Sequence, residues 1–181
     1  MNFLRKLIGD KPSAAPADWS YYEDKANGVR LPYPKDWEIS PRLDRPGMMV
    51  FLPPDRKVAG GEFVLGYTDF WELSMTFSVV DRAMTRMADV DDQSLGKMLM
   101  NGVVAQAHGI IFWEENGKLA RGQRVIRFGY SQKKSNMDMK SICAIAHDRN
   151  KVYIIEISGL TGLMDARLDE WKGIAKALEI G

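Results

Sequence analysis

The stretch MDMKSICAIAHDRNKVYIIEIS, residues 137–158, constrains the fold more than any other part of this chain. Two extended runs flank a polar break at Asp148 to Asn150, which predicts a hairpin turning there. In SICAIA both alternating sets of side chains are apolar, as expected for a central strand covered on either side. The sheet that holds it is therefore expected to be sandwiched.

Alternation marks further strands. In ELSMTFSVV, Leu73, Met75, Phe77 and Val79 oppose Glu72, Ser74, Thr76 and Ser78, the pattern of a half-buried strand. MMVFLP, Met48 to Pro53, is apolar on both sides and runs into Pro53-Pro54, which predicts a covered strand and then a loop. Asn27-Gly28 suits a tight hairpin turn, and Asn116-Gly117 gives the strongest hairpin signal in the chain. Beyond it Ile126, Phe128 and Tyr130 share a face. In GVRLPYPKDWEIS, Pro32 and Pro34 cannot donate to a ladder, so the segment is an edge strand or an extended crossing, with Trp37 re-entering the core beside Ile39.

Two segments carry helical periodicity instead. Leu95, Met98, Leu99, Gly102, Val103 and Gln106 mark one face of a helix predicted over about Gln93 to Ala107, with Asp91 and Asp92 placed to cap it. Met164, Leu168, Trp171, Ala175 and Leu178 form one stripe of a closing helix. The sum is α+β, an antiparallel sheet flanked by helices. At 181 residues the chain fits one domain, expected over residues 19–181. Ahead of it, residues 1–18 read as an amphipathic segment and the Pro/Ala linker KPSAAPAD.

Charge and chemistry exclude several classes of function. Twenty-five Lys and Arg against 24 Asp and Glu leave a net charge of +1, far from the basic excess that nucleic acid selects. No apolar run approaches the roughly 20 residues of a membrane span. MNFLRKLIGDK does not read as a secretory signal, and the lone Cys143 cannot form an internal disulfide, which together favour a cytoplasmic location. Phe3, Leu4, Leu7 and Ile8 recur at helical spacing, so residues 1–10 either dock on the domain or a neighbouring copy, or give a reversible foothold at a membrane surface.

No motif predicts catalysis, a cofactor or a metal. His108 and His147 lack any metal-binding spacing, and Cys143 lies in an apolar strand as an ordinary buried thiol. Asp89 and Asp91 do not open a calcium loop, because the sixth and twelfth positions are Ser94 and Met100. Glu114 and Glu115 are adjacent, so in a strand they face opposite ways and make no acid/base pair. Arg121, Arg124, Arg127, Lys133 and Lys134 gather on one hairpin and read as a solvated surface. The aromatic stretch FVLGYTDFW, with Phe63, Tyr67, Phe70 and Trp71, is either core filling or an exposed surface of the kind partners bind.

The order of these elements resembles the PsbP/Mog1-like family, including the related bacterial domains of unknown function. The carrying residues are YYEDKANGVRLPYPKDWEIS, with its glycine turn and Pro-x-x-Trp, then MMVFLP, the mid-chain helix, GQRVIRFGYS, KSICAIAHDRNKVYIIEISG and the closing helix, over about residues 20 to 180. The resemblance implies an α/β/α sandwich. It also implies an adaptor rather than a catalyst, since members of that family are a photosystem subunit, a binder of a nuclear transport GTPase and bacterial secretion chaperones. The expected function is thus a non-catalytic protein-binding module associated with a membrane-bound or secretion-related assembly. The alternatives are a small-molecule or lipid carrier, which requires an enclosed apolar cavity, and an enzyme.

Overall fold

The computed structural model describes residues 19–42, 45–55, 71–84, 89–134 and 136–181. Among them the chain runs β1 (Trp19–Asp24), β2 (Val29–Pro34), β3 (Glu38–Pro41), β4 (Met48–Leu52), β5 (Leu73–Asp81), α1 (Leu95–Gln106), β6 (Ile110–Lys118) and β7 (Arg124–Lys134). It continues through β8 (Met137–His147), β9 (Lys151–Leu160), α2 (Thr161–Ala166), α3 (Leu168–Lys176) and β10 (Glu179–Ile180). Seven strands form one sheet in the order β3-β4-β5-β9-β8-β7-β6, and β1-β2-β10 form a second. Every ladder among the described residues is antiparallel, so the chain is α+β with a mostly antiparallel sheet and three helices.

The predicted 148–150 turn is present, and β8 is buried along SICAIA. Ile142, Ala144 and Ala146 point into one apolar cluster with Phe77, Ile155 and Trp171. Cys143 and Ile145 point into a second with Leu95, Met100 and Phe128. Where the strand feeds two cores, from Ile142 to Ala146, there is no room for a polar alternate, which is why that part of its sequence shows none. The alternation of β5 has the same origin, with Met75 and Phe77 in the first cluster. Ile126, Phe128 and Tyr130 share the second, as their spacing requires.

Helix α1 lies within two residues of the predicted span at each end. Asp91 acts ahead of it, accepting the backbone N–H groups of Gln93 at 2.8 Å and Ser94 at 3.0 Å. A bond from the Ser94 side chain, and then those two, hold the Asp91 carboxyl below its ordinary range. Asp92 does not cap. Its Oδ1 accepts from Arg82 Nη1 at 2.6 Å instead.

Four further expectations need correction. Asn116-Gly117 is not a turn but part of β6, paired with Ile126 and Val125. The turn lies at Leu119 to Gln123, where Gly122 takes φ +87° and Leu119, only 9% exposed, anchors the loop in the core. Gly117 serves another purpose, since a Cβ there would stand 3.1 Å from Arg127 Nη1. The closing helix is two helices, broken at Arg167 with φ −133°. Its stripe survives the break because Met164, Trp171, Ala175 and Leu178 all remain buried.

The apolar run of β4 is covered only at Phe51 and Leu52, with Met48 to Val50 half-buried. The fourth correction concerns Arg127, which is not solvated: it is 7% exposed and donates from Nε to the carbonyl of Ala175 at 3.1 Å.

The opening hairpin turns at Asn27-Gly28 as expected, but β2 is the middle strand of its sheet and not the edge strand or crossing that Pro32 and Pro34 predict. Gly28 adopts φ +65° in the turn between β1 and β2, and a Cβ there would meet the Gly181 carbonyl oxygen at 2.8 Å. β10 flanks β2 only at Val29 and Arg30, so Pro32 and Pro34 fall where that side of the strand is unpaired. Trp37 is buried against Trp171, with ring centres 6.0 Å apart.

Candidate interaction surfaces

Among the described residues β6 is the last strand of the seven-stranded sheet, paired to β7 on one side only. Ile110 and Ile111 oppose Ser131 and Tyr130, and the register shifts before Trp113 meets Gly129, leaving Phe112 as an extra residue. Ile110, Ile111 and Phe112 are 73%, 37% and 41% exposed. The Phe112 ring lies over Gly129, where a Cβ would come within 2.6 Å of Cζ, and Lys140 Nζ is 5.3 Å from its centre. Without a side chain at 129 the ring can lie flat on the sheet.

The second half of β6 is tied down. Glu114 and Glu115 do face opposite ways. Glu114 accepts from Lys97 of α1 at 2.7 Å, a bond that holds its carboxyl below the ordinary range, whereas Glu115 pairs with Lys176 of α3 at 2.9 Å and with Arg127 at 3.5 Å. The strand thus has a charged half clamped by helices and an apolar half that stands open. The opposite edge, β3, has four residues and ends in Pro41, features that blunt an edge against pairing. Four consecutive apolar residues, Ile110 to Trp113, are the sequence signal for this surface, and the bulge at Phe112 interrupts the alternation that would mark it as a strand.

A cleft of about 340 Å³ opens between the β1–β2 hairpin and the main sheet. Tyr22, Met49, Phe77 and Val79 line it, with Asp24 and Lys151 among its charged residues. Lys151 Nζ donates to Asn27 Oδ1 at 2.6 Å, and Asn27 donates in turn to Asp24 at 2.6 Å. Burial, then the Asp24 charge, raises the Tyr22 phenol. Such a mouth differs from the enclosed apolar cavity that a lipid carrier requires.

The titratable candidates do not converge. His108 follows the C-terminal end of α1 with φ +48°, whereas His147 is buried near Gly96 at the other end. Burial lowers the His147 pKa and raises the fully buried Cys143 thiol well above its usual range. No three His, Cys, Asp or Glu side chains are grouped to hold a metal among the described residues. Arg82, unremarked in the sequence, is a buried strap: Nη1 reaches Asp92 and the Asp148 carbonyl, and Nη2 the Val90 carbonyl.

Of the predicted contact residues, Trp71 is half-buried just before β5. Phe63, Tyr67 and Phe70 lie outside the described residues, as do Phe3, Leu4, Leu7 and Ile8. No helix among the described residues is long and apolar enough to cross a membrane.

No protein-family model matches the sequence, and no curated protein matches it. Solved structures do. Cyanobacterial PsbP (CyanoP) from Synechocystis sp. PCC 6803 superposes with a TM-score of 0.62 at 14% identity, covering 96% of this chain and 99% of that one. The Saccharomyces cerevisiae Ran-binding protein Mog1p gives 0.53 at 6% identity, over 90% and 95%. A Pseudomonas aeruginosa protein of unknown function, described as a putative regulator, gives 0.53 at 11% identity, over 88% and 94%. Identities this low speak for architecture alone, and the architecture is unambiguous: the chain has the PsbP/Mog1-like fold.

Proposed function

We propose that the chain is a non-catalytic protein-binding module whose ligand adds a strand to the open edge of β6. The observation that carries this is the apolar half of that edge, Ile110 to Phe112, exposed beside backbone that no other described strand pairs. Strand addition draws affinity from main-chain hydrogen bonds and selectivity from alternate side chains. Mog1p, which shares the fold, is named as a Ran-binding protein. On this proposal α1 and α3 make the sheet an α/β/α sandwich, and the domain works in the cytoplasm. Residues 1–10 then bring it to a membrane-bound or secretion-related assembly.

A photo-crosslinking residue at position 110 tests the reading against one at Asp138, an exposed control. Position 110 is expected to capture a discrete protein through an extended segment, and Phe112→Glu to abolish capture without lowering the melting temperature. Equal capture from both positions sinks the idea.

A second reading, a small-molecule carrier, draws on the cleft beside Tyr22 and Lys151. Ligand-induced shifts confined to that cleft in a metabolite screen are what it predicts.

A further inference from the structure

The two faces of the central strands differ sharply. On one, Met75 and Phe77 of β5 and Ile155 and Ile157 of β9 are fully buried. On the other, Ser74 stands against Ser158 and Thr76 against Glu156, all four half-buried. α1 packs chiefly over β7 and β8, leaving this row beside it.

Glu156 is the only charged member of the row. Tyr130 donates its phenol O–H to Oε1 at 2.8 Å. That phenol is itself immobile: it stacks on Phe128 at 6.1 Å and is roofed by Gly109, where a Cβ would come within 2.7 Å of Cδ2. Burial, then the Glu156 charge, pushes the Tyr130 phenol far up, so the proton stays and the carboxylate keeps one orientation. The second oxygen, Oε2, takes no hydrogen bond and is not among the buried polar atoms. No lysine or arginine pairs with Glu156 among the described residues. Gly109 also closes the C-terminal end of α1, donating to the Val104 carbonyl at 2.8 Å, so the negative end of the helix dipole lies above Tyr130. A fixed carboxylate and a helix terminus thus set the same sign of potential over a hydroxyl-lined face.

We propose that Glu156 Oε2 takes the ammonium or guanidinium group of a lysine or arginine presented by a protein partner, with the Thr76 and Ser158 hydroxyls as neighbours. Charged hydrogen bonds of this kind are short, strong and directional. Among the described residues the row is a pleated face and not an enclosed pocket, so a free amine is weakly retained, whereas a side chain delivered by a docked protein is held by the rest of its chain. The inference rests on the protein-binding reading above but uses a face distinct from the β6 edge.

The test is an amide NMR titration of the full chain with blocked Gly-Lys-Gly and Gly-Arg-Gly peptides, with Gly-norleucine-Gly as the neutral control and spermidine as the free amine. Saturable shifts are expected at Thr76, Cys143, Glu156 and Ser158 with the basic peptides only. Glu156→Gln, which keeps the Tyr130 bond, should weaken them by about tenfold or more, the loss of one charged hydrogen bond. Ile110→Lys should leave them unchanged. Absent shifts, shifts shared by the norleucine peptide, equal binding by Glu156→Gln, or a response to spermidine alone would each overturn the proposal. The norleucine comparison needs no variant, so misfolding of Glu156→Gln does not rescue it. Binding here with no capture at position 110 would leave this site standing and remove the β6 reading.

Discussion

Arg127 on β7 donates from Nε to the carbonyl of Ala175 at 3.1 Å, joining the sheet to the last turn of α3 across 48 positions of sequence. The guanidinium is almost wholly buried, so its removal strands that carbonyl, whereas Glu115 keeps its pair with Lys176. Arg127→Ala is expected to lower the unfolding free energy by roughly 2–4 kcal/mol in urea titration, and Lys176→Ala, at the exposed end of the same cluster, by less than about 1 kcal/mol.

Trp171 fills the centre of the larger core against Trp37. Trp171→Ala should cost about 3–5 kcal/mol, and Trp171→Phe distinctly less because more of the volume is kept. Thermal melts read this directly, at about 2–4 °C per kcal/mol for a chain of this length.

Two glycines should respond with opposite signs. Gly28→Ala places a side chain at φ +65° and against the Gly181 backbone, so a loss of at least about 1 kcal/mol is expected. Gly102 lies inside α1 with nothing within 4 Å of an added Cβ, so Gly102→Ala should gain up to about 1 kcal/mol. Denaturant midpoints of the pair check both.

His147 makes a pH prediction. Burial is the main cause of its lowered pKa, with Arg82 and Arg124 also opposing charge and Asp92 and Asp148 favouring it. The unfolded chain therefore binds this proton more readily than the folded one, and stability falls as pH drops below about 6.5, the ordinary histidine value. Asp91, Asp92 and Glu114, whose folded pKa values are lowered, contribute stability that is lost only further down, below about pH 4. Between about pH 7 and pH 5, the slope of unfolding free energy should flatten in His147→Gln; an unchanged slope would assign it elsewhere.

Much of the fold was written locally. SICAIA showed a strand covered on both faces because each face needs its own apolar set, and Asn27-Gly28 marked a turn because nothing nearby competes with it. Asn116-Gly117 misled for the converse reason: burial of Leu119 and the space Arg127 needs outweigh a dipeptide preference. The burial of Arg127 was illegible, since its acceptor is a backbone carbonyl that only the folded chain brings near. Glu156 stood in plain view within VYIIEIS, a charge in an apolar strand. Its significance depends on Tyr130, two strands away in the sheet.

The pairing of β5 with β9 carries a kinetic consequence. The strands β3, β4 and β5 form one meander and β6 to β9 another, each able to zip between sequence neighbours, and the two join along the single ladder from Leu73–Gly159 to Asp81–Lys151. Closing that seam means ordering everything from α1 to β8 in between, the kind of distant pairing that slows a chain's search. Each half can form from sequence neighbours, so their union is the step expected to set the folding rate, with the flanks of β5 and β9 open to mispairing until it occurs.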